Sequence, residues 1–377
     1  MMEYSKIFKD GYEVDWEYVE SIPEFAVLKT CKQSPKWHGE GSAWEHTKKC
    51  VESAYIVHET NLLGTKDVFN DVEMRIAVAA VLFHDIGKGV TTDYFKGDWH
   101  SYNHEYESEK IARRLLWNDS LSIRETICAC ARYHMKALKL ADSKRVIDEM
   151  ISLSKVKFMS LWYLIFVKLC DIMGSLPMDM EQRDLDIRKM RGLYAIAEAI
   201  GVLDDQLLLP RIPHMMVYPP VCGKEPKSVV HLMVGLPGSG KNTYIENNKR
   251  PFDEVVSRDD IRTELGYCNE GDKVVLPKEQ EDEVTKIFDS RLVQYVKEGK
   301  DVWINNINIK RKYRDALKAL LRGYPVEWVY VYVEAPTIED NERRRPTFQD
   351  GVIRSMIETL DWPQPEEFDE FIVSKQW

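Results

Sequence analysis

A short glycine-rich stretch, GLPGSGKNT at 235–243, limits the possible fold more than any other part of the chain. The apolar run VVHLMV comes directly before it, which is typical of a strand that ends in a phosphate-binding loop. Glycines let the backbone amides turn toward phosphate oxygens, and a lysine adds positive charge. The candidate nucleotide-binding residues are therefore Gly235, Gly238, Ser239, Gly240, Lys241, Asn242 and Thr243.

Asn242 departs from the usual pattern, in which Ser or Thr at this position binds Mg²⁺. Its carbonyl oxygen could bind the cation, Thr243 could reach it after a small shift, or phosphates and water could hold it. We expect binding of ATP or another NTP with Mg²⁺ to be kept, with weakened or altered metal dependence.

The two halves of the chain have different periodicities. From Ala43 to about Leu203 apolar residues recur at helical spacing, which predicts an all-α domain. Short apolar strands and amphipathic helices alternate from 229 onward, which predicts an α/β domain with a parallel sheet. Closely spaced prolines separate them. We therefore predict a multidomain chain of 1–205, a proline-rich linker at 206–228, and 229–377.

Two charged segments accompany the glycine-rich loop. SRDDIR at 257–262 follows a predicted strand, where Asp259 could act as a base and Arg262 could hold a substrate phosphate; alternatively, Asp259 or Asp260 caps the next helix. ERRR contains a run of arginines that could form a lid over a transferring phosphoryl group. Alternatively, it is a solvated charge run. Those arginines are Arg343, Arg344 and Arg345.

The helical half contains imidazole and carboxylate side chains of the types that ligate divalent transition metals. Four of the nine histidines in the chain form an ordered set in it, and one of them, His84, begins the segment HDIGK. Any single histidine is more often structural, but this ordered set indicates a metal site. The candidate ligands are His46, His84, Asp85, His104, His134 and Asp171.

Charge and cysteine content narrow the class of protein. A net charge of −10 argues against non-specific clamping of nucleic acid, so an RNA partner would need a local basic patch. The best candidate is KRKYRDALKALLR, although a solvated helix start fits equally; its first basic residues are Lys310, Arg311, Lys312 and Arg314. Scattered cysteines, an acidic N-terminus without a signal-peptide pattern and no membrane-length apolar run predict a cytoplasmic protein with no membrane partner.

The residues from 229 onward resemble the kinase domain of phage-type polynucleotide 5′-hydroxyl kinases, through GLPGSGKNT, SRDDIR and ERRRPTFQDGVIRSM. The resemblance implies that Asp259 is the general base for a 5′-OH and that Arg262 positions the end being phosphorylated. It also implies that Lys241 and Arg343 stabilise the transferring group, with Arg344 or Arg345 as a second lid arginine. The family's Asp-x-Asn is changed here, with Asn306 in the aspartate position and Asn308 retained.

The helical half resembles the HD phosphohydrolase superfamily, through WHGEGSAWEHT, LFHDIGKG and HEYES. The resemblance implies a metal site of His46, His84, Asp85 and Asp171 for an ion such as Mn²⁺, Co²⁺, Ni²⁺ or Zn²⁺. His104 and His134 would complete it or hold phosphate, and Lys88 would contact the scissile phosphate. Whether one or two ions bind stays open.

Together the two halves resemble the bacterial HD-Pnk family of bifunctional RNA end-healing enzymes. The resemblance implies NTP-dependent phosphorylation of polynucleotide 5′-OH ends and metal-dependent hydrolysis of 2′,3′-cyclic phosphate or 2′-phosphate ends. RNA, with DNA as an alternative, would be the substrate, and a separate RNA ligase would act afterwards. Two other classes stay open: an HD nucleotidase fused to a small-molecule kinase, or an HD phosphatase with a nucleotide-sensing module.

Overall fold

The computed structural model describes residues 1–64, 69–203, 228–269, 275–349 and 351–375. The chain divides into two compact units, Met1–Met215 and Met216–Trp377. The predicted linker at 206–228 lies outside the described residues except for Ser228, which begins a strand. The predicted domain boundaries therefore stay a prediction.

Helices make up most of the first unit. They are α1 Trp16–Glu20, α2 Pro23–Ala26, α3 Ala43–Glu59, α4 Asp71–Phe83, α5 Lys88–Thr91, α6 His104–Leu115, α7 Leu121–Ala141, α8 Val146–Ser154, α9 Leu161–Gly174 and α10 Met180–Ala199, with 3-10 turns at Tyr4–Ile7 and Val27–Lys29. No helix of the described residues is long and apolar enough to cross a membrane.

Helix α9 lies at the centre of this unit. Nearly all of its residues are buried, because it packs against α3, α4, α7 and α10 on different sides. Helix α4 is likewise apolar on most of its surface and starts at a capping box formed by Asn70 and Glu73. It ends at Phe83, directly before His84. The two most buried helices thus carry metal-ligand candidates into the interior.

The prediction of a helical N-terminal domain is confirmed, with one exception. Strands β1, Thr92–Phe95, and β2, Asp98–Ser101, form an antiparallel hairpin. Its two-residue turn has positive φ at both positions, 53° at Lys96 and 86° at Gly97, which suits the twist of a tight hairpin. The sequence pattern predicts no strand here, because four-residue strands are too short to show a clear alternation.

The second unit is an α/β domain, as predicted. Its strands are β3 Ser228–Val234, β4 Glu254–Val256, β5 Val302–Ile304, β6 Val326–Glu334 and β7 Glu370–Lys375. Its helices are α11 Lys241–Asn248, α12 Arg258–Glu264, α13 Lys278–Lys297, α14 Arg311–Leu320, α15 Ile338–Arg343 and α16 Val352–Ile357, with a 3-10 turn at Pro365–Glu367. The strand β7 was not predicted.

All five strands are parallel, in the order β4-β5-β3-β6-β7. Strand β3 is central, and the glycine-rich loop follows it. Helix α13 covers one face with a buried stripe that includes Val284, Phe288 and Leu292. Because the strands are parallel, the segments after β3, β4 and β5 meet at one edge, where ligands bind in such sheets.

Candidate active sites

The loop after β3 has the backbone of a phosphate cradle. Gly238 and Gly240 have φ angles of 74° and 100°, in the left-handed region that side chains rarely adopt. A Cβ on Gly235 would overlap the carbonyl oxygen of Val333, so this position also requires glycine. The loop leads directly into α11, whose N-terminus adds its partial positive charge.

Lys241 lies across this loop. Its Nζ donates to the carbonyl oxygens of Gly235 at 2.9 Å and Leu236 at 2.8 Å. Burial, together with the positive charge of Arg345, lowers the pKa of Lys241 to about 7. Nucleotide phosphates would raise that pKa again, because negative charge favours the protonated amine. The buried hydroxyl of Ser239 has no hydrogen-bond partner within the described residues, so it is a further donor available to an anion.

Amide side chains surround the place where Mg²⁺ is expected. Asn305 Nδ2 donates to Asn242 Oδ1 at 3.1 Å, while Thr243 is exposed on the first turn of α11. The Oδ1 of Asn306 accepts from the backbone at the start of α12. Asn308 has a φ of 47° and donates from Nδ2 to the carbonyl of Met233 in β3, which links the segment after β5 to β3. Asn242 and Asn305 therefore offer neutral oxygens to a cation.

Helix α12 is capped by Ser257, whose hydroxyl accepts from the backbone N of Asp259 at 3.2 Å and of Asp260 at 3.3 Å. The alternative in which Asp259 or Asp260 is the N-cap is therefore wrong. The side chain of Asp259 is 82% exposed and accepts from Arg262 Nη1 at 2.6 Å. Glu281 holds Arg262 from the other side, at 2.8 Å. Asp259 is thus a carboxylate that the helix does not need for its own capping.

The three consecutive arginines have different surroundings. Arg343 ends α15, is 76% exposed and pairs with an aspartate of the same helix. Arg344 donates from Nη1 to the carbonyl of Gly238 at 3.2 Å. Arg345 is partly buried and near enough to Lys241 to lower its pKa. Arg344 and Arg345 therefore contact or face the loop, and the predicted role of all three in catalysis stays a prediction.

A cavity of about 520 Å³, here called the acceptor cavity, opens beside Asp259 and Arg262. Its wall combines apolar and aromatic side chains, with Phe288 from α13 and Leu317 and Tyr313 from α14, and polar ones that include Thr285 and Asp289. Tyr313 is 52% exposed. Aromatic rings in such a position can stack on a nucleobase.

The basic stretch at 310–322 is only partly available to a ligand. Arg314 is fully buried, donates to the carboxylate of Glu367 at 2.7 and 3.1 Å and reaches two backbone carbonyls. The prediction that Arg314 contacts an RNA backbone is therefore wrong, because its guanidinium is buried and pairs with Glu367. Arg311 pairs with Glu366 at 3.0 Å on the surface.

In the first unit, four histidines present the same ring nitrogen to one centre. The Nδ1 atoms of His84, His104 and His134 donate to backbone carbonyl oxygens at 2.6, 2.7 and 2.8 Å. The Nδ1 of His46 donates to Glu40 Oε1 at 2.8 Å. Because Nδ1 is the donor in each ring, Nε2 carries the lone pair. This arrangement suits metal ligation.

Asp85 lies between two pairs of these histidines, with one oxygen facing each pair. Its Oδ2 is 3.4 Å from Nε2 of His46 and 3.3 Å from Nε2 of His84. Its Oδ1 is 3.2 Å from Nε2 of His104 and 3.6 Å from Nε2 of His134. Ligands about 2.1 Å from a tetrahedral ion lie about 3.4 Å from one another, so these spacings fit a metal.

Asp171 completes the first set, with Oδ1 at 3.1 Å from His46 Nε2 and 3.7 Å from His84 Nε2. Within the described residues, His84 Nε2 and Asp85 Oδ1 are buried without a hydrogen-bond partner, as expected of ligand atoms. The structure thus brings all six predicted ligands together in two adjoining sets. The first set is His46, Cys50, His84 and Asp171, and Asp85 Oδ2 adjoins it at 3.4 Å from His46 Nε2. The second set is Asp85, His104 and His134.

The carboxylates make this centre favourable for a cation. Burial alone would lower the pKa of His84, but Asp85 and Asp171 outweigh it and raise that pKa to about 10. A divalent ion supplies the positive charge that this cluster favours, and its binding releases protons. Cys50 lies 3.4 Å from His46 Nε2, but burial raises the pKa of its thiol well above the ordinary value. Cys50 therefore stays neutral without an ion.

Two lysines flank the carboxylates. Lys88 Nζ is 2.6 Å from Asp85 Oδ2, and Lys168 Nζ is 2.6 Å from Asp171 Oδ2. Both line a cavity of about 430 Å³, here called the HD cavity. The predicted contact of Lys88 with phosphate stays a prediction. Lys168 was missed, although its position three residues before Asp171 places both on one helical face.

Glycine at 87 allows the two ligand sets to lie close together. A Cβ on Gly87 would overlap the carbonyl oxygen of His104 and lie 2.5 Å from the backbone N of Ser108. The backbone N of Gly87 donates to Ser108 Oγ at 2.9 Å. The segment that carries Asp85 therefore rests directly on the start of α6.

Glu40 is a functional candidate that sequence reasoning did not assign. Its Oε1 accepts from Nδ1 of both His38 and His46 at 2.8 Å, and its Oε2 accepts from the backbone N of Leu176 at 2.9 Å. Burial would raise its pKa, but the two imidazoles outweigh burial and lower the pKa well below the ordinary value. Glu40 belongs to the motif WHGEG, but only the folded turn shows that it orients His46.

Comparisons with known proteins agree with this division. Residues 44–172 match the family model of the HD domain, and residues 230–361 match that of the AAA domain. The chain carries an HD domain and a P-loop kinase-like domain. Among solved structures, a gluconokinase from Sinorhizobium meliloti 1021 is similar at 18% identity, covering 40% of this chain and 84% of that chain with a TM-score of 0.29. No curated protein matches the chain.

The two family matches confirm the coarse prediction, a phosphohydrolase-type domain joined to a kinase-type nucleotide-binding domain. They fit the geometry at both sites, since the first match contains all six ligand candidates and the second contains the phosphate loop and Asp259.

Proposed function

We propose that the chain heals broken RNA ends. The P-loop domain would phosphorylate a polynucleotide 5′-OH, and the HD domain would hydrolyse a 2′,3′-cyclic phosphate or 2′-phosphate. One observation carries the kinase assignment: Asp259, which the helix cap does not use, pairs with Arg262 beside the acceptor cavity. Such a pair can accept the proton of a hydroxyl and hold its phosphate neighbour.

In the kinase reaction, Asp259 takes the proton from the 5′-OH while the oxygen attacks the γ-phosphorus, and the nucleoside diphosphate leaves. Arg262 binds the phosphate next to the terminal sugar, so the hydroxyl lies in line with the bond that breaks. Lys241 and the loop amides neutralise the charge on the phosphates. Arg344 and Arg345 are the nearer candidates for the lid, since Arg343 is exposed.

In the HD reaction, the six ligand candidates would hold one or two divalent ions. Bound ions would act as Lewis acids on the phosphate and lower the pKa of water. Lys88 and Lys168 would donate to the non-bridging phosphate oxygens. Glu40 would keep His46 in the tautomer whose Nε2 lone pair faces Asp85 and Asp171.

The acceptor cavity supports a polynucleotide over a small polar acceptor. Its aromatic and apolar lining, with Tyr313 half exposed, suits a terminal nucleobase better than a small sugar that needs many hydrogen bonds. RNA is the proposed substrate, with DNA as the alternative. A separate RNA ligase would then join the healed ends, and we place the protein in the cytoplasm.

The test uses a short RNA with a 5′-OH and a 2′,3′-cyclic phosphate, γ-labelled ATP, and Mg²⁺ or Mn²⁺. Wild type runs beside Asp259→Ala and Asp85→Ala. We expect Asp259→Ala to abolish labelling of the 5′ end alone, and Asp85→Ala to abolish opening of the cyclic phosphate alone.

Other outcomes point to the alternative classes. Transfer of label to a nucleoside but not to RNA would indicate a small-molecule kinase. ATP binding without transfer to any acceptor would indicate a nucleotide-sensing module. Loss of both activities in either variant would refute two independent sites.

A further inference from the structure

We propose that the HD cavity is entered across an aromatic rim that stacks the terminal nucleobases of a single-stranded polynucleotide 3′ end. The aromatic rim consists of Trp37, Trp99, His100 and Tyr102, all of which line this cavity. The inference rests on the proposed function of the HD domain and adds how that site recognises its substrate.

The rim exposes large aromatic surface next to a polar, charged centre. Trp37 is 52% exposed and Tyr102 is 67% exposed, while Trp99 and His100 are partly buried. The rings of His100 and Tyr102 are parallel within 7°, with centroids 5.2 Å apart. Exposed aromatic groups at the mouth of a cavity indicate a ligand-binding surface, and flat rings favour a flat ligand.

The rim is anchored to the metal-ligand candidates. Tyr102 lies two residues before His104, whose Nδ1 donates to the carbonyl of Ser101 at the end of β2. Trp37 adjoins His38, which donates to the same Glu40 oxygen as His46. A base stacked on the rim would therefore stand at a fixed distance from the phosphate-cleaving centre.

Two lysines lie over rings of the aromatic rim, and we expect them to contact the preceding phosphates of a strand. Lys36 Nζ is 4.7 Å from the Trp37 ring, and Lys32 Nζ is 5.5 Å from the Trp99 ring. Both lysines are exposed. Aromatic rings interleaved with cations are the pattern of single-strand nucleic-acid binding, in which bases stack and cations contact the backbone.

The charge around the cavity is uneven. The wall at α10 carries the carboxylates of Asp179 and Asp186 and the guanidinium of Arg183, which donates to the carbonyl of Met173. A strand that ends in the cavity would leave over Lys32 and Lys36. The cavity of about 430 Å³ lies at the small end of the roughly 300–1,000 Å³ usual for ligand pockets. It suits one terminal nucleotide, with the next ones on the rim.

The first experiment compares a uridine hexamer that ends in a 2′,3′-cyclic phosphate with 1-O-methylribose 2,3-cyclic phosphate, which has no base. The ratio is kcat/KM for the hexamer divided by kcat/KM for the base-free substrate. If bases stack on the rim, this ratio depends on the rim residues. We expect Trp37→Ala and Tyr102→Ala each to lower this ratio about tenfold. The matched control is Phe252→Ala, an aromatic residue of the second unit that is 89% exposed, and it should keep the wild-type ratio.

Turnover of the base-free substrate shows that each variant has a folded HD site, and Trp37→Phe should restore most of the ratio. A wild-type ratio in both alanine variants overturns the rim and leaves the proposed function intact. Loss of the ratio in Phe252→Ala would also contradict the rim.

A second measurement separates failure of the rim from failure of the proposed function. An RNA with 5-iodouridine as its 3′-terminal nucleotide is photo-crosslinked to the full chain, and the attached peptide is identified. We expect attachment within 37–48 or 97–110, and weaker attachment there when iodouridine is six nucleotides inward. If the wild type opens no cyclic phosphate but crosslinks in these segments, the rim stands and the HD reaction is different. Crosslinks only elsewhere, or none, overturn the rim.

Discussion

Replacing Glu40 with glutamine tests whether this carboxylate orients the metal-ligand candidate His46. Glu40 accepts hydrogen bonds with both oxygens: Oε1 from His38 and His46, and Oε2 from the backbone N of Leu176. A glutamine has one accepting oxygen and an NH₂ group. Its NH₂ must therefore face either the two imidazole N–H groups or the N–H of Leu176.

The magnitude follows from this conflict between donors. When the NH₂ faces the imidazoles, the buried N–H of His46 loses its acceptor, which costs about 1–3 kcal/mol. Rotation of His46 to escape the conflict would turn Nε2 away from Asp85 and Asp171. Loss of a carboxylate behind a ligating histidine typically weakens metal affinity about 10- to 100-fold, and we expect a change of this size.

The assay is isothermal titration of the apoprotein with Mn²⁺ and Co²⁺, with the rate of cyclic-phosphate opening measured at each metal concentration. Glu45→Gln is the control on α3, the helix that carries His46, since Glu45 is 51% exposed and lies 3.7 Å from Lys48. The kinase rate of each preparation should be unchanged. If Glu40→Gln binds both metals within twofold of wild type, the orienting role is refuted.

Three further predictions concern the second unit. Asn306→Asp adds a carboxylate beside the amides at the end of β5, so the Mg²⁺ concentration for half-maximal kinase rate should fall severalfold; an unchanged requirement would place the ion elsewhere. Arg314→Met leaves the Glu367 carboxylate buried without its cation and should lower the free energy of unfolding in urea by roughly 3–5 kcal/mol. Arg311→Met removes only an exposed pair and should cost below about 1 kcal/mol, so equal costs would contradict the argument. The pKa of Lys241 is about 7 in the free protein and rises when phosphates bind, so ATP binding takes up a proton above pH 7. ATP affinity should then fall by up to about tenfold per pH unit above 7, seen by calorimetry in buffers of different ionisation enthalpy, and a pH-independent affinity would count against it.

Local spacing was enough to choose most of the candidate site residues. The phosphate loop can be read from the sequence because its glycines, lysine and preceding strand are contiguous, and each has a backbone reason to be there. The six ligand candidates could be chosen by residue type and order. Their division into two sets could not, because it depends on which oxygen of Asp85 faces which helix.

Residues that act through tertiary contacts were harder to predict. Arg314 looks like part of a basic surface because its partner Glu367 lies far along the chain. Glu40 shows no role until the turn before α3 brings it to His46. The β1–β2 hairpin was missed because its signal is confined to the turn at Lys96 and Gly97. For Arg314 the deciding interaction joins positions that no short sequence window contains.

The contact at Gly87 determines how the HD centre responds to perturbation. At Gly87 the segment of Asp85 lies against the backbone of α6 and the hydroxyl of Ser108, with no side chain of its own as a spacer. Bond lengths and van der Waals radii, which vary little with temperature or core mutation, therefore set the gap between the two ligand sets. Substitutions in the surrounding helices would lower the stability of the domain well before they altered that gap. The spacing of the two ligand sets is therefore less sensitive to substitution than the stability of the domain around them.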